Sequence, residues 1–197
     1  MKIYKLGEEV LRQKCVPVTA EEINDDMRRL FDEMFETMIS ANGVGLAAPQ
    51  VGIAKRFFVI MVDDEVRRVF INPEIIKTSA ERADYEEGCL SIPGVYESIT
   101  RPTKISVTAL NEYGKRFTLE DVDGLLARVI QHENDHLEGV LYIDRGDRQF
   151  AEDTVAQFKK RAERAAKKEA ARAAKQASIE AKIAAKIAAK EAKKGRA

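Results

Sequence analysis

Hydrophobic residues recur at steps of three and four between Ile23 and Met38, which is the spacing of one buried helix face. Residues Thr19 to Glu22 (TAEE) precede this row and have the form of a capping box. Asn42 and Gly43 follow it, and both tolerate positive φ. The pattern predicts an amphipathic helix that begins at the capping box and buries Ile23, Met27, Leu30, Phe31, Met34, Phe35 and Met38.

Paired apolar runs in the middle of the chain indicate β-hairpins. Residues 57–62 and 66–71 flank an acidic turn, and residues 105–110 and 116–119 flank a turn that ends at Gly114. A second helical row then begins near 121–124 and continues to Leu137, and Gly139 offers a C-terminal stop. Strands in runs followed by a helix favour an α+β fold over an alternating α/β fold.

Beyond Asp153 the composition changes to Ala, Lys, Arg and Glu, which favours helix by propensity alone. Isoleucines 179, 183 and 187 lie four apart beside a parallel row of lysines 182, 186 and 190. A continuous helix over the 44 residues from Thr154 to Ala197 would extend about 66 Å, which is more than a small domain can cover. We therefore expect a folded domain over residues 1–150 and a basic tail over 151–197 that is helical or partly disordered.

The chain has no net formal charge, but its two parts carry opposite net charges. Residues 154–197 contain 14 Lys or Arg and 4 Glu, a net charge of +10, and residues 1–153 carry a net charge of −10. The first residues contain no apolar stretch typical of a signal peptide, and no apolar run approaches the roughly 18 residues of a membrane span. We expect a cytoplasmic protein that does not enter a membrane.

His132 and His136 are the two histidines of the chain, and they stand four apart in the second helical row. This spacing puts both imidazoles on one helix face, about 6 Å apart along the axis, where one ion can meet both. Glu133 lies next to them, within reach of a water on such an ion. A pair of surface histidines beside a glutamate is the alternative interpretation, because a five-residue pattern also arises by chance.

A catalytic ion usually takes three protein ligands and keeps a position for water. The third ligand must then be a carboxylate or a thiolate, and Cys89, which follows Gly88, is the sharper choice. A buried structural thiol is the alternative for Cys89. The other cysteine, Cys15, has no motif around it and is predicted to be a thiol near the surface or an edge.

Three segments resemble the motifs of the peptide deformylase family, in the family's order and at similar spacing. They are GVGLAAPQ over residues 43–50, EGCLS over 87–91 and QHENDH over 131–136. The resemblance covers residues 1–150 and implies an α+β fold with β-sheets packed around a central metal-bearing helix. It also implies a metal-dependent amide hydrolase that removes the formyl group from N-formylmethionyl peptides and releases formate.

The resemblance assigns roles to individual residues. Cys89, His132 and His136 would hold the ion, Glu133 would take a proton from metal-bound water, and the hydroxide would attack the formyl carbon. Gln50 and the backbone N–H of Leu90 would hold the formyl oxygen as charge develops on it. The residues expected to bind substrate are Gly43, Val44, Gly45, Glu87, Leu125 and Val129.

Arg128 and Tyr96 depart from the family pattern, which often has an apolar residue and a basic residue there. Asp135 and Arg101 are either an ion pair beside the site or two ordinary solvent-facing residues.

The expected cofactor is one divalent ion, iron(II) in the cell, and the same ligands suit zinc, nickel or cobalt. The resemblance implies formylated nascent peptides as partners and, through the basic tail, ribosomal RNA, with the protein itself a monomer. An ordinary solvated charged face is the alternative for the tail. Two other classes compete with this prediction: a different metal amidase or peptidase, and an RNA-binding module with a structural metal site.

Overall fold

The structure, a computed structural model, describes the backbone of residues 1–194 and the side chains of residues 1–177 and 180. Short 3-10 helices cover Glu9–Arg12, Ala20–Glu22, Ala48–Val51 and Tyr142–Arg145. The helices and strands, in chain order, are α1 (Asp25–Ser40), β1 (Gly45–Ala47), β2 (Phe57–Ile60), β3 (Arg68–Thr78), β4 (Arg82–Cys89), β5 (Ile92–Pro102), β6 (Ile105–Leu110), β7 (Arg116–Val122), α2 (Gly124–Leu137) and α3 (Arg148–Lys194).

The first predicted helix is present as α1, but it begins later than the capping box. The Oδ1 atom of Asn24 accepts hydrogen bonds from the backbone N–H groups of Asp26 and Met27, at 3.1 Å each, and so caps the helix. Thr19 donates its backbone N–H to a carboxylate oxygen of Glu22 at 2.8 Å, which closes a short 3-10 turn instead. The prediction that α1 begins at the capping box was wrong, because Asn24 is the actual cap.

A five-stranded antiparallel sheet forms the centre of the fold, in the order β1-β2-β3-β6-β7. Both predicted hairpins are confirmed within it. Phe58 and Ile60 of β2 belong to the core that α2 covers, whereas Phe57 and Val59 belong to the core that α1 covers. Successive side chains of a strand point to opposite faces, so the middle of this sheet is buried between two helices. The α+β prediction is confirmed.

β4 and β5 form a separate two-stranded hairpin that hydrophobic patterning did not predict. Its strands are long and mostly exposed, so their sequence does not show the alternation of a half-buried strand. The two residues at its tip, Leu90 and Ser91, join strands whose last pair is Cys89 with Ile92. The hairpin therefore presents Cys89 at its closed end.

α2 begins and ends where the sequence predicts. Asp123 precedes its first residue, and Gly139 follows its end with φ of +72°, a left-handed conformation that glycine adopts without strain. Its buried side includes Val129, Ile130 and Leu137 as well as both histidines. The helix therefore carries its polar motif into the interior of the domain.

Cys15 is buried, with 3% of its surface exposed, in the core between α2 and the central sheet. Its backbone N–H donates to the carbonyl of Leu137 at 2.9 Å. Burial raises the pKa of its thiol to about 11, which makes it unreactive at neutral pH. The prediction of a thiol near the surface or an edge was wrong, because Cys15 fills core space.

The chain divides into two compact units, Met1–Val155 and Ala156–Ala197. The second unit contains most of α3, and its Lys and Arg side chains are exposed as far as residue 177. The predicted rows of isoleucines (179, 183 and 187) and lysines (182, 186 and 190) lie outside the described side chains. Within residues 1–194, no helix combines the length and the apolar character that a bilayer crossing requires.

Candidate metal centre and its cleft

A sulfur and two imidazoles from distant parts of the chain meet at one point. One ligand atom from each of Cys89, His132 and His136 lies within 4.8 Å of the others. The Cys89 Sγ atom is 3.3 Å from His136 Nε2, and the two imidazole centroids are 5.2 Å apart. A thiolate and two neutral imidazoles are a donor set that transition metals accept, and three protein ligands are the usual number at a catalytic ion.

The protonation of His136 fits this donor set as it stands, whereas His132 must give up a proton to join it. Burial lowers the pKa of His136 well below its usual value, so its ring is neutral and can offer a lone pair. Burial alone would also lower the pKa of His132. Its hydrogen bonds to Cys89 and Glu87 outweigh burial, and together they raise the pKa to about 10. A cation held between the sulfur and the rings competes directly with that proton.

Glu87 holds the other side of the His132 ring. Its carboxylate lies 2.9 Å from His132 Nδ1 and accepts two hydrogen bonds from Arg101, at 2.7 and 2.9 Å. Burial alone would raise the pKa of Glu87, but these partners lower it to about 2, so the carboxylate stays ionised. Ionised Glu87 fixes Nδ1 as the protonated nitrogen and directs Nε2 toward Cys89.

Arg101 extends this network to a second acid. It donates to Asp135 at 2.7 Å, and both side chains are buried, with 3% and 7% of their surfaces exposed. Arg145 also donates to Asp135, at 2.5 Å through its Nε atom. Of the two interpretations left open by the sequence, the buried ion pair is correct and the solvent-facing one is wrong.

Glu133 is buried beside the ligands, with 4% of its surface exposed. Burial raises the pKa of its carboxyl to about 7, although the neighbouring His132 opposes the shift. Its Oε2 atom has no hydrogen-bond partner among the described residues. A carboxyl with a pKa near neutrality and a free oxygen can both accept and return a proton.

The side-chain amide of Gln50 has a fixed orientation. Its oxygen accepts a hydrogen bond from the backbone N–H of Ala47 at 2.7 Å. Its Nε2 atom therefore faces the ligands, where it donates to Ser91 Oγ at 3.2 Å and lies 3.4 Å from Cys89 Sγ. The amide thus presents N–H groups, rather than its oxygen, to the centre.

A cleft of about 610 Å³ opens onto this centre. His136 contributes to the centre but is not part of the cleft wall. The predicted site residues that line the cleft are Gly43, Val44, Gly45, Gln50, Glu87, Cys89, Leu90, Leu125, Val129, His132 and Glu133.

Comparison with known proteins assigns the chain to a family. A family model described as polypeptide deformylase matches residues 1–151. The chain belongs to the peptide deformylase family. The peptide deformylase of Fusobacterium nucleatum is 49% identical over 144 residues, which are 73% of this chain and 82% of that protein. Peptide deformylase 1 of Clostridium perfringens is 54% identical over 138 residues, 70% of this chain and 91% of that protein.

Solved deformylase structures share the fold. The crystal structure of a peptide deformylase from Synechococcus elongatus, in complex with actinonin, matches with a TM-score of 0.73 at 44% identity. The match covers 79% of this chain and 85% of that one. A peptide deformylase from Thermotoga maritima matches with a TM-score of 0.70, also at 44% identity, over 74% of this chain and 96% of that one. This deformylase is therefore a hydrolase of a family that removes N-formyl groups from peptides.

The two departures from the family pattern have different surroundings. The Arg128 guanidinium donates to the carbonyls of Ile99 and Ala83 at 2.8 Å each and to Glu87 at 3.1 Å, so it joins α2 to the β4–β5 hairpin. Tyr96 is 61% exposed at the cleft, and its ring covers Gly88 so closely that a Cβ there would lie 2.7 Å from it. Arg128 thus supports the wall, and Tyr96 forms part of its outer surface.

Two side chains that support the site of this deformylase were not among the residues predicted from the sequence. Ser91 is fully buried and accepts the hydrogen bond from Gln50 described above, and its place two residues after Cys89 was the available signal. Tyr142 stacks on the His132 ring with centroids 5.8 Å apart and donates its hydroxyl to the carbonyl of Val95 at 2.8 Å. No pattern in the sequence connects Tyr142 with the site.

Proposed function

We propose that this deformylase hydrolyses the formyl amide of newly made polypeptides that begin with N-formylmethionine, and releases formate. One observation carries the proposal: a Cys-His-His cluster, a buried glutamate with a pKa near 7 and an oriented amide donor meet at a single cleft. Family membership supports the same reaction. A closed structural metal site would have no use for the glutamate or the amide donor.

Cys89, His132 and His136 are the proposed ligands of one divalent ion. When bound, such an ion supplies a Lewis acid that acidifies a water molecule and polarises the formyl carbonyl. Iron(II) is the ion we propose for the cell, and the same sulfur and nitrogen donors also suit zinc, nickel or cobalt. Glu87 supports this ligand set by holding His132 Nδ1, and we propose this role for it in place of direct contact with substrate.

Glu133 is the proposed general base and acid. Its unpartnered carboxylate oxygen takes a proton from the attacking water and then delivers it to the departing amine. Gln50 Nε2 and the backbone N–H of Leu90 are the proposed donors to the formyl oxygen as it gains negative charge. One such donor is worth about 3 kcal/mol of transition-state stabilisation in other hydrolases.

The peptide is proposed to bind along β1 in an extended form. β1 pairs with β2 on one side and is an end strand of the described sheet, so its other edge can pair with a substrate backbone. Gly43, Val44 and Gly45 supply this edge, and Leu125 and Val129 from α2 supply apolar surface for the methionine side chain.

Formate release from a formylmethionyl peptide tests the proposal. The metal-loaded protein should release formate and leave the unformylated peptide intact, whereas a peptidase of the same helix motif would cleave that peptide. Glu133→Gln should retain the metal but lose at least about 100-fold in turnover, because a positioned proton acceptor contributes about that much. Near-normal turnover of Glu133→Gln would remove the assigned base.

The exposed face of the tail supports a second part of the proposal, docking on ribosomal RNA. Between residues 156 and 177 the exposed Lys and Arg residues number eight, against two Glu. Such a helix neutralises phosphates without reading bases, and its binding should weaken steeply with salt. We propose a monomer that acts in the cytoplasm, where formylated chains emerge from ribosomes.

Charge substitutions test the tail without shortening the chain. Glutamine at Lys159, Lys160, Arg164 and Lys167 should weaken ribosome association and flatten its salt dependence, while hydrolysis of a short formyl peptide stays unchanged. Glu163→Gln is the matched control and should bind at least as tightly as the parent. Equal binding by the parent and the fourfold variant at low and high salt would remove the docking proposal.

A further inference from the structure

The N-terminal segment runs between the two chain segments that carry the proposed oxyanion donors. Gln50 belongs to the 3-10 helix Ala48–Val51, and Leu90 to the tip of the β4–β5 hairpin. These segments are 40 residues apart in sequence, and their direct side-chain contacts are those of Gln50 Nε2, with Ser91 Oγ at 3.2 Å and with Cys89 Sγ at 3.4 Å. Their relative placement must therefore depend largely on what else contacts both.

Three consecutive residues, which we call the N-terminal strap (Tyr4–Leu6), each donate one hydrogen bond to these segments. The Tyr4 backbone N–H donates to the carbonyl of Gln50 at 2.8 Å, and the Leu6 backbone N–H donates to the carbonyl of Ser91 at 3.0 Å. Between them, Lys5 donates its side-chain Nζ to the carbonyl of Leu90 at 2.7 Å. The strap thus reaches the backbone of Gln50, Leu90 and Ser91.

Lys5 makes this contact with its side chain, since its backbone N–H is engaged by another residue. Its backbone N–H donates to a carboxylate oxygen of Glu8 at 2.6 Å. The half-buried ammonium also lines the cleft. A hydrogen bond from a charged donor at this distance is about twice as strong as a neutral one, so the carbonyl of Leu90 has little freedom to turn.

We propose that Lys5 is a positioning residue for the hydrolysis: it fixes the Leu90–Ser91 peptide at the hairpin tip. Through the Leu90 Cα this limits how far the adjoining Cys89–Leu90 peptide can turn, and so keeps the Leu90 N–H and the Gln50 amide aimed at one oxygen. This inference rests on the proposed function, in which both groups stabilise the formyl oxygen. Electrostatic stabilisation of this kind depends on donors that are already oriented before the reaction. Loss of Lys5 leaves both donors in place but frees one of them to turn.

Four proteins test the role: the parent, Lys5→Met, Lys5→Arg and the control Lys14→Met. Lys14 is exposed and pairs with Glu138, outside the cleft lining. Steady-state hydrolysis of a formylmethionyl dipeptide gives kcat and KM, and metal content and amide hydrogen exchange of residues 90–92 are measured on the same samples. Lys5→Met should lower kcat about tenfold, change KM less than about twofold and keep the metal. The misaligned donors contact the formyl oxygen mainly in the transition state, so substrate binding is little affected. Exchange at residues 90–92 should become faster.

Lys5→Arg should recover most of kcat, since its guanidinium can also donate to the carbonyl, and Lys14→Met should match the parent. A parent-like kcat for Lys5→Met would overturn the inference, as would a loss of kcat that follows loss of metal or that Lys5→Arg does not recover. If the metal-loaded parent releases no formate, the proposed function fails. The strap is still tested in that case, because unchanged hydrogen exchange in Lys5→Met would overturn it.

Discussion

Gly45 should be intolerant of even one added methyl group. A Cβ built on Gly45 would lie 2.4 Å from Glu133 Oε1 and 2.8 Å from Val129 Cγ1. Both neighbours are held on the buried side of α2, so neither can turn away into solvent. Gly45 itself does not need positive φ, so the substitution Gly45→Ala acts through this contact and not through backbone strain.

The size of the effect follows from the displacement. Ordinary contact begins near 3.4 Å, so the Glu133 carboxylate must retreat by about 1 Å from its place beside the ligands. A misplacement of about 1 Å can cost roughly 100-fold in rate. We therefore expect Gly45→Ala to lower kcat/KM for a formylmethionyl peptide by about 100-fold while the protein stays folded and keeps its metal.

Gly114→Ala is the matched control. Gly114 has φ of +74° in the β6–β7 turn, where a Cβ would meet nothing closer than 3.7 Å. Alanine there should reduce the free energy of unfolding by about 1 kcal/mol, because it strains the turn, and leave kcat/KM unchanged. Activity of Gly45→Ala within threefold of the parent, in a steady-state formate assay, would refute the assigned position of Glu133.

Three further outcomes follow from the buried charges and the metal centre. Arg101→Met should lower the free energy of unfolding in urea by about 3–5 kcal/mol, because it leaves Glu87 and Asp135 buried without their shared cation; a loss below about 1 kcal/mol would contradict this. The pKa of Glu87 falls from 4.5 to about 2 on folding, so its stabilisation should be complete above pH 4.5 and disappear as pH falls toward 2. The stability difference between the parent and Glu87→Gln, measured from pH 7 to 2, should therefore shrink below pH 4.5, and a difference that grows would have the wrong sign. Chelation should abolish formate release and lower the melting temperature, and a stoichiometric divalent ion should restore both; full activity after verified metal removal would exclude a role for the ion.

Short-range patterns predicted much of the fold. The hydrophobic rows of α1 and α2 and the two hairpins of the central sheet depend on local spacing, which the sequence displays directly. The β4–β5 hairpin was missed because its strands are exposed and do not alternate. The start of α1 was misplaced because Asn24 and the capping box compete as caps within a few residues, and the sequence does not rank them.

The residues of the site also fall into those that local spacing predicts and those that it does not. The spacing of His132 and His136 predicts one shared helix face, but bringing Cys89 to them needs the hairpin that patterning missed. The usual number of ligands favoured Cys89 as the third ligand, and the motif resemblance assigned it that role, but neither placed it in space. Contacts such as those of Arg101 with Glu87 join residues 14 apart, and that of Lys5 with Leu90 joins residues 85 apart. Nothing local in the sequence marks such pairs, so they emerge only from the tertiary structure.

X-ray absorption spectroscopy of the protein loaded with one equivalent of zinc shows which side chains hold the ion. Joint coordination by Cys89, His132 and His136 predicts one sulfur at about 2.3 Å, two imidazole nitrogens at about 2.0–2.1 Å and a light-atom ligand from solvent. Cys89→Ala should lose the sulfur signal. A parent spectrum with no sulfur, or with four protein donors and no place for water, would contradict the account.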